Sequence, residues 1–231
     1  MTLFDSPIVT VDTIIFTIKD QTLQVLLVKR AKHPAKGKWA LPGGFIHIDE
    51  DNDLEAAALR VLKNKTGVET PYVEQLISVG NKNRDERGWS VTIVYFALIN
   101  SDAIILSESK NTDEATWHPI MKNTVDVELT FDHKFLLHNS IERLRAKTEY
   151  SALPVHLLPE KFTLPELQRT YETILDRPID KSGFRRRITD AKILEEITGE
   201  FQNDGNRPAQ LYLLKKGTRQ HFFPRTITSG T

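Results

Sequence analysis

Residues 43–68 read Gly-Gly-Phe-Ile-His-Ile-Asp-Glu-Asp-Asn-Asp-Leu-Glu-Ala-Ala-Ala-Leu-Arg-Val-Leu-Lys-Asn-Lys-Thr-Gly-Val. Gly43 and Gly44 allow a close backbone approach, and an acidic loop runs from Asp49 to Asp53. Asp53 is placed to N-cap a helix over Leu54–Thr66, which Gly67 closes at the C′ position. Inside that helix Val61, Asn64 and Lys65 stand at i, i+3 and i+4, so the three share one face.

Working outward, residues 8–18 form a β-branched run that predicts a strand. Asp20-Gln21 makes a turn, and Leu23–Val28 predicts a second strand. Residues 31–38 are basic, punctuated by Pro34 and Gly37, and read as a loop. Further strands are expected at 74–80 and 90–99, with a segment around 113–119. A long helix from about Phe131 to Lys147 would carry an apolar stripe of Phe135, Leu136, Ile141 and Leu144. Strands mixed with one central and one terminal helix indicate an α/β sandwich.

The pattern changes after Pro154 and Pro159. Thr163 and Glu166 have capping-box spacing, with Pro165 tolerated in the first turn. Leu164, Leu167, Tyr171, Ile174 and Leu175 give one apolar helical face. Asp180 caps a short second helix, with Ile179 and Phe184 spaced as a hydrophobic staple. Two strands, Ile193–Phe201 and Gln210–Leu214, flank the turn-forming Asn203-Asp204-Gly205-Asn206. Helix, short helix and hairpin describe a winged helix-turn-helix.

If Phe184 and Ile188 face the core, Arg186 lies nearly opposite them at about 100° per residue. Ser182 and Gly183 share its side, Lys181 precedes them, and Arg185 and Arg187 flank it. Such a helix fits the major groove, where arginine grips guanine and neighbouring cations hold phosphates. Arg207, Lys215 and Lys216 on the hairpin suit the sugar-phosphate backbone. The charge distribution agrees mildly. Residues 1–150 carry 18 Lys and Arg against 21 Asp and Glu, whereas residues 151–231 carry 13 against 10.

The segment 43–68 resembles the Nudix box, in which a glycine and a glutamate precede Arg-Glu, an apolar residue, a spacer, Glu-Glu, a spacer and glycine. Gly44, Glu50, Arg60, Leu62, Gly67 and Val68 match in kind, and the loop is about two residues longer than usual. The departures are Val61, Asn64 and Lys65, which replace the three helical glutamates. Magnesium requires oxygen ligands, preferably charged. Valine offers none, asparagine only a neutral carbonyl, and lysine repels the cation. The resemblance implies a Nudix-fold α/β/α sandwich with a mixed sheet. In members of the ADP-ribose type it places Arg30, Trp39, Gly43, Gly44, Phe45, Arg84, Arg87 and Trp89 around a nucleotide pocket. The seven histidines show no metal-ligand spacing, and His133 is a secondary pocket candidate.

With its arginine-rich winged helix, the chain resembles the Nudix-related transcriptional regulators of NAD metabolism (NrtR). That resemblance implies residues 1–150 as an effector domain and 151–231 as a DNA-binding domain. It further implies a homodimer on a pseudo-palindromic double-stranded operator, repression of NAD biosynthesis or salvage genes, and release by ADP-ribose or a related nucleotide. No cofactor and no catalytic residue is expected. A working Mg²⁺-dependent ADP-ribose pyrophosphatase, using Glu50 and Glu55 with Asp49 or Asp51, stands as the alternative. A scaffold that offers its basic surface to an acidic partner is a third reading. No apolar run reaches the roughly 20 residues of a membrane span. Cysteine is absent, which excludes disulfides and makes the reducing cytoplasm the expected location.

Overall fold

The β-branched N-terminal run forms strand β1 (Ile8–Lys19), and a turn with both Asp20 and Gln21 at positive φ returns the chain as β2 (Thr22–Lys29). The computed structural model describes residues 6–67, 72–103, 114–204, 207–218 and 220–227; the side chains of Lys65, Thr66, Ala103, Asp204 and Arg207 are also outside the described set. Val68, Gly205 and Asn206 from the motifs above therefore lie outside it too.

Two short strands follow, β3 (Trp39–Ala40) and β4 (Gly43–Phe45), then helix α1 (Leu54–Thr66). Asp53 caps α1 by accepting from Ala56 N, and Gly67 closes it at φ 69° with its N–H on Lys63 O. Strands β5 (Tyr72–Asn81), β6 (Ser90–Leu98) and β7 (Glu114–Pro119) complete one seven-stranded sheet, in the order β3-β2-β1-β6-β5 with β4 on β1 and β7 on β2. Bonds from Ile8 N to Trp89 O, Thr10 Oγ1 to Val91 O and Thr17 Oγ1 to Ile99 O advance together along both chains. β1 and β6 therefore run parallel, while β4 and β7 pair antiparallel, so the sheet is mixed. β1 and β6 are buried almost without alternation, which requires cover on both faces.

Helix α2 (His133–Tyr150) starts two residues later than the pattern suggests and ends three later. Phe131 sits at φ 55° and cannot begin a right-handed helix. Its buried stripe is Leu136, Leu137, Ile141 and Leu144; Phe135, expected on that stripe, is half exposed. Leu137 takes its place because it is the residue four before Ile141.

The chain divides into two units. One comprises Met1–Phe16, Gln24–Ala97 and Ile104–Ile141; the other comprises Thr17–Leu23, Leu98–Ala103 and Glu142–Thr231. The second unit thus takes in the end of α2, before the proline-marked segment. No periodicity break marks that point, because α2 is continuous.

The C-terminal unit contains β8 (Phe162–Thr163), α3 (Leu164–Leu175), α4 (Lys181–Ala191), β9 (Leu194–Asp204) and β10 (Arg207–Leu214), with sheet order β8-β10-β9. The capping box forms in full. Thr163 N donates to Glu166 Oε2 at 2.7 Å, and Glu166 N donates to Thr163 Oγ1 at 3.3 Å. The core gathers Phe162, Leu167, Tyr171, Ile179, Phe184, Ile188, Ile193, Phe223 and Ile227. Both staple residues, Ile179 and Phe184, lie in it. No described helix is long and apolar enough to cross a membrane.

The capping box generates a first prediction. Thr163→Ala removes the acceptor for Glu166 N and lowers stability by about 1 kcal/mol. Urea denaturation of the full chain reads this as a fall in midpoint at constant slope.

Candidate functional site

Side chains from β1, β2, β4, α1 and adjoining loops converge on a cleft of about 480 Å³, a size typical of small-molecule sites. Arg30, Lys32, Arg60, Arg84 and Arg87 line it against two carboxylates, Asp12 and Asp85. Carboxylates pair with Arg60, Arg84 and Arg87, so it is the charge of Arg30 and Lys32 that favours an anionic ligand.

The deep wall is a buried charge network. Asp12 is buried within β1, where an unpaired carboxylate would be costly. Arg84 resolves this: Nε and Nη2 donate to Asp132 at 3.0 and 3.1 Å, and Nη2 also reaches Asp12 Oδ2 at 3.4 Å. His133 is buried beside them. Its Nδ1 accepts from Leu41 N at 2.9 Å, which leaves the proton on Nε2, 3.8 Å from Asp12 Oδ1. Burial pulls the His133 pKa down, outweighing Asp12 and Asp132, which push it up. Gly43 completes the wall, since a Cβ there would stand 2.0 Å from Asp12 Oδ1.

The outer wall is the loop before α1. Arg60 donates to both Asp51 oxygens at 2.5 and 2.7 Å, and to Phe45 O at 2.9 Å. The Arg60 hydrogen bond holds the Asp51 carboxyl at about 2. Glu50 turns to His47 Nδ1 at 3.0 Å and lies 3.8 Å from Arg60. Val61, at the first of the three altered box positions, is buried, and its Cγ2 would stand 2.9 Å from a Cβ on Gly44. Asn64 lines the cleft, and the side chain of Lys65 is outside the described set. Neither Val61 nor Asn64 carries a carboxylate for a magnesium ion. Val61 is packed as apolar contact, and Asp51 and Glu50 of the loop already face an arginine and a histidine. Among the described residues no three His, Asp or Glu side chains gather as a metal cluster.

The rim is flatter and more exposed. Arg87 is clamped by Asp85, with Nε on Oδ1 at 2.9 Å and Nη2 on Oδ2 at 2.6 Å, and it lies over the Phe45 ring at 5.1 Å. This pairing lowers the Asp85 pKa and raises that of Arg87. Arg30 lies over Phe131 at 5.2 Å, and its Nε donates to Pro34 O at 2.7 Å.

Of the eight pocket residues read from the sequence, Arg30, Gly43, Gly44, Phe45, Arg84 and Arg87 meet in the cleft. Trp39 and Trp89 do not line it. Trp39 packs its edge against His118 at 4.6 Å, and Trp89 lies over Gly80, half exposed. Arg84 reaches the cleft as a brace, its donors directed at Asp12 and Asp132. Asp12, Lys32, His33, Arg60 and Phe131 were missed. Lys32 and His33 sat in view within the basic loop; Asp12 signalled itself as a lone carboxylate in a β-branched strand.

The second candidate surface belongs to the C-terminal unit. Asp180 caps α4 through Gly183 N. Phe184 and Ile188 are buried, Lys181, Ser182, Arg185 and Arg186 are exposed, and Gly183 is partly covered. Arg187 departs from expectation: it turns back to donate to the carbonyls of Arg225 and Thr226. Lys215 and Lys216 are exposed after β10, while the Arg207 side chain lies outside the described residues. The wing is not uniformly basic, since exposed Glu195, Glu196 and Glu200 occupy β9.

Comparison with known proteins matches residues 7–138 to the NUDIX domain and residues 154–214 to the NrtR DNA-binding winged helix domain. The chain is 43% identical, over 97% of its length and 88% of the relative's, to an ADPR responsive transcriptional repressor from Acinetobacter baylyi. It is similar to Shewanella oneidensis NrtR crystallised with a 27mer DNA, at a TM-score of 0.88 and 44% identity, covering 95% of this chain and 99% of that one. It is also similar to the NUDIX domain of the Shewanella protein in complex with ADP ribose, at 0.56 and 45%, covering 61% and 90%.

Two predictions follow from the deep wall. Arg84→Met strands two carboxylates around a buried position and destabilises the protein by about 3–5 kcal/mol at neutral pH, read by chemical denaturation. Acid acts through His133. The unfolded chain takes up a proton near the ordinary value of 6.5, whereas the buried ring resists it. Stability is therefore full above about 6.5 and declines as pH falls below it, at up to about 1.4 kcal/mol per pH unit for one histidine. His133→Gln flattens that decline in denaturation curves collected across the range.

Proposed function

Since the chain belongs to the NrtR family, with a NUDIX domain followed by the family's winged helix, we propose that it is a DNA-binding transcriptional repressor released by a nucleotide effector. Residues 1–150 serve as the sensor and residues 151–231 as the DNA-binding domain. The effector is ADP-ribose or a relative. The operator is a pseudo-palindrome bound by a homodimer, and the controlled genes belong to NAD biosynthesis or salvage. The chain acts as a receptor and not as a hydrolase.

One observation carries this reading: a cationic cleft whose box helix presents Val61 and Asn64 where metal-binding carboxylates belong. Pyrophosphate hydrolysis of this type needs a cation to stabilise developing charge and activate water. Binding needs only donors and shape. Arg30 and Lys32 suit a diphosphate, since an arginine fork matches its oxygens and a lysine adds a point charge. The Phe45–Arg87 platform suits a nucleobase, which stacks on aromatic and guanidinium planes alike. Arg84 shapes the wall behind them. The Acinetobacter relative, described as ADPR responsive, and the Shewanella complexes with DNA and with ADP ribose support both halves.

In the winged helix, Arg186 and Arg185 are the base-reading and phosphate-holding candidates on α4, with Lys181, Ser182 and Gly183 at its leading end. Lys215, Lys216 and Arg207 flank the wing. Effector and operator couple reciprocally; a coupling of about 1–3 kcal/mol changes operator affinity some 5–150-fold.

The test titrates ADP-ribose into the complex between the full chain and duplexes tiling the DNA upstream of its own gene. Release of a sequence-selective complex, with no AMP or ribose 5-phosphate formed in the presence of Mg²⁺, is the expected result. Turnover approaching about 10 per second would instead make it a pyrophosphatase. Arg186→Ala should lose preference for the selected duplex over random DNA, while Lys215→Ala should weaken both and lower the salt slope by about one.

A further inference from the structure

The chain beyond the wing returns to the C-terminal unit and closes around α4. Ala152 N donates to His221 O at 2.9 Å, Phe223 N to Tyr150 O at 2.7 Å and Ile227 N to Glu149 O at 2.8 Å. Ser151 and Phe222 form an antiparallel bridge. The segment 221–227 is thus laced to the end of α2 by main-chain bonds. Its apolar side chains Phe223 and Ile227 enter the same core as Phe184 and Ile188 of α4. Residues 221–227 lie beyond the match to the family's winged helix, which ends at residue 214.

Arg187 joins the segment to α4 directly. Its two terminal nitrogens donate to Arg225 O and, at 2.6 Å, to Thr226 O, and its guanidinium lies over the Phe223 ring at 5.5 Å. A second arginine ties the far end: Arg177 Nη2 contacts Ile227 O at 3.3 Å and both Glu149 oxygens at 2.7 and 2.9 Å. Helix α4 has 11 residues and only two fully buried anchors, Phe184 and Ile188. Two anchors one turn apart define a line about which a short helix can roll. A contact on its flank removes that freedom, and base readout tolerates only about 10–20° of misorientation.

We propose that residues 221–227 form a strap that fixes the orientation of the recognition helix, and that Arg187 is a positioning residue acting on DNA through this strap. The proposal rests on the reading of α4 as the DNA-contacting helix. It divides the Arg185-Arg186-Arg187 run: two members face solvent, and the third faces the protein. A phosphate-contacting arginine contributes about one unit to the dependence of binding on salt; a positioning arginine contributes none. Arg187 is partly covered, and this partial burial lowers its pKa.

The experiment compares the full chain with Arg187→Ala, Arg187→Lys, a chain ending at residue 220, and that shortened chain carrying Arg187→Ala. Operator affinity is measured at several salt concentrations on a selected upstream duplex, and amide hydrogen exchange is followed across α4. Arg187→Ala leaves Phe223 and Ile227 in the core, so it reports even if the shortened chain does not fold. The expected result is a loss of at least tenfold for Arg187→Ala with an unchanged salt slope, faster α4 exchange, and partial recovery with lysine. If the shortened chain folds, it loses as much, and adding Arg187→Ala to it loses nothing further. A slope lowered by about one with α4 exchange unchanged would place Arg187 on a phosphate and overturn the strap. Losses that add in the combined variant would overturn it as well. If the full chain selects no duplex, the DNA reading fails, and exchange alone decides: unaltered α4 protection in Arg187→Ala removes the strap, and faster exchange retains it.

Discussion

The sensor unit depends on a buried carboxylate that must not be left alone. Asp12 interrupts a strand that is otherwise apolar or hydroxyl-bearing along its buried length. Its neutralisation requires Arg84 from the loop before β6, and Arg84 in turn requires Asp132 at the start of α2. Gly43 must lack a side chain so that the carboxylate has room. One charge thereby fixes the mutual positions of a central strand, a loop, a helix start and the glycine strand. The cleft is the space those four enclose.

The same logic explains how the cleft keeps its form without a metal chelate. Here the bond between loop and helix is internal: Arg60 of α1 grips Asp51 and the Phe45 carbonyl, while Val61 seats against Gly44. An arginine–carboxylate fork with two short bonds is among the stronger polar contacts available to a protein. The long loop is therefore held independently of a divalent ion, and the positive charge left in the cleft remains available to a ligand. The loop before α1 is thereby fixed by the protein's own side chains.

Local signals gave the reading of the sequence most of its success. Asp53, Gly67, Thr163, Glu166 and Asp180 announce helix ends because capping is a contact between near neighbours. Runs of β-branched and apolar residues placed β1, β2 and β6, and a helical apolar face placed α3, for the same reason. Contacts between distant residues were hidden. Nothing near Arg84 indicates that its partners are 72 and 48 positions away, so it read as a ligand-facing fork. Trp39 and Trp89 looked like pocket aromatics from their neighbours in the chain, yet sheet pairing turns them elsewhere. Phe131 was assigned to a helix that its positive φ excludes. Arg187 is the most instructive case. Its helical phase placed it on the flank of α4 correctly, but its partners arrive 38 and 39 residues later.

The arginines show what distinguishes a brace from a reader in this chain. Arg60, Arg84, Arg87 and Arg177 meet carboxylates, and Arg187 meets carbonyls; each has become part of the framework. A guanidinium so engaged gains little from a new partner, because an incoming phosphate must compete with bonds already made. Arg185 and Arg186 are presented to solvent on a helix whose other face is anchored by Phe184 and Ile188. Strand β9 of the wing meanwhile exposes Glu195 and Glu196, which repel a phosphate backbone, while Glu200 is paired with Lys161. On the proposed reading, attraction to DNA is concentrated on α4 and on Lys215–Lys216 and is weaker along β9. A surface on which cations and anions are segregated in this way accepts a duplex in fewer orientations than a uniformly basic one. On that reading the acidic strand adds to selectivity by penalising the wrong poses, even though it lends nothing to affinity.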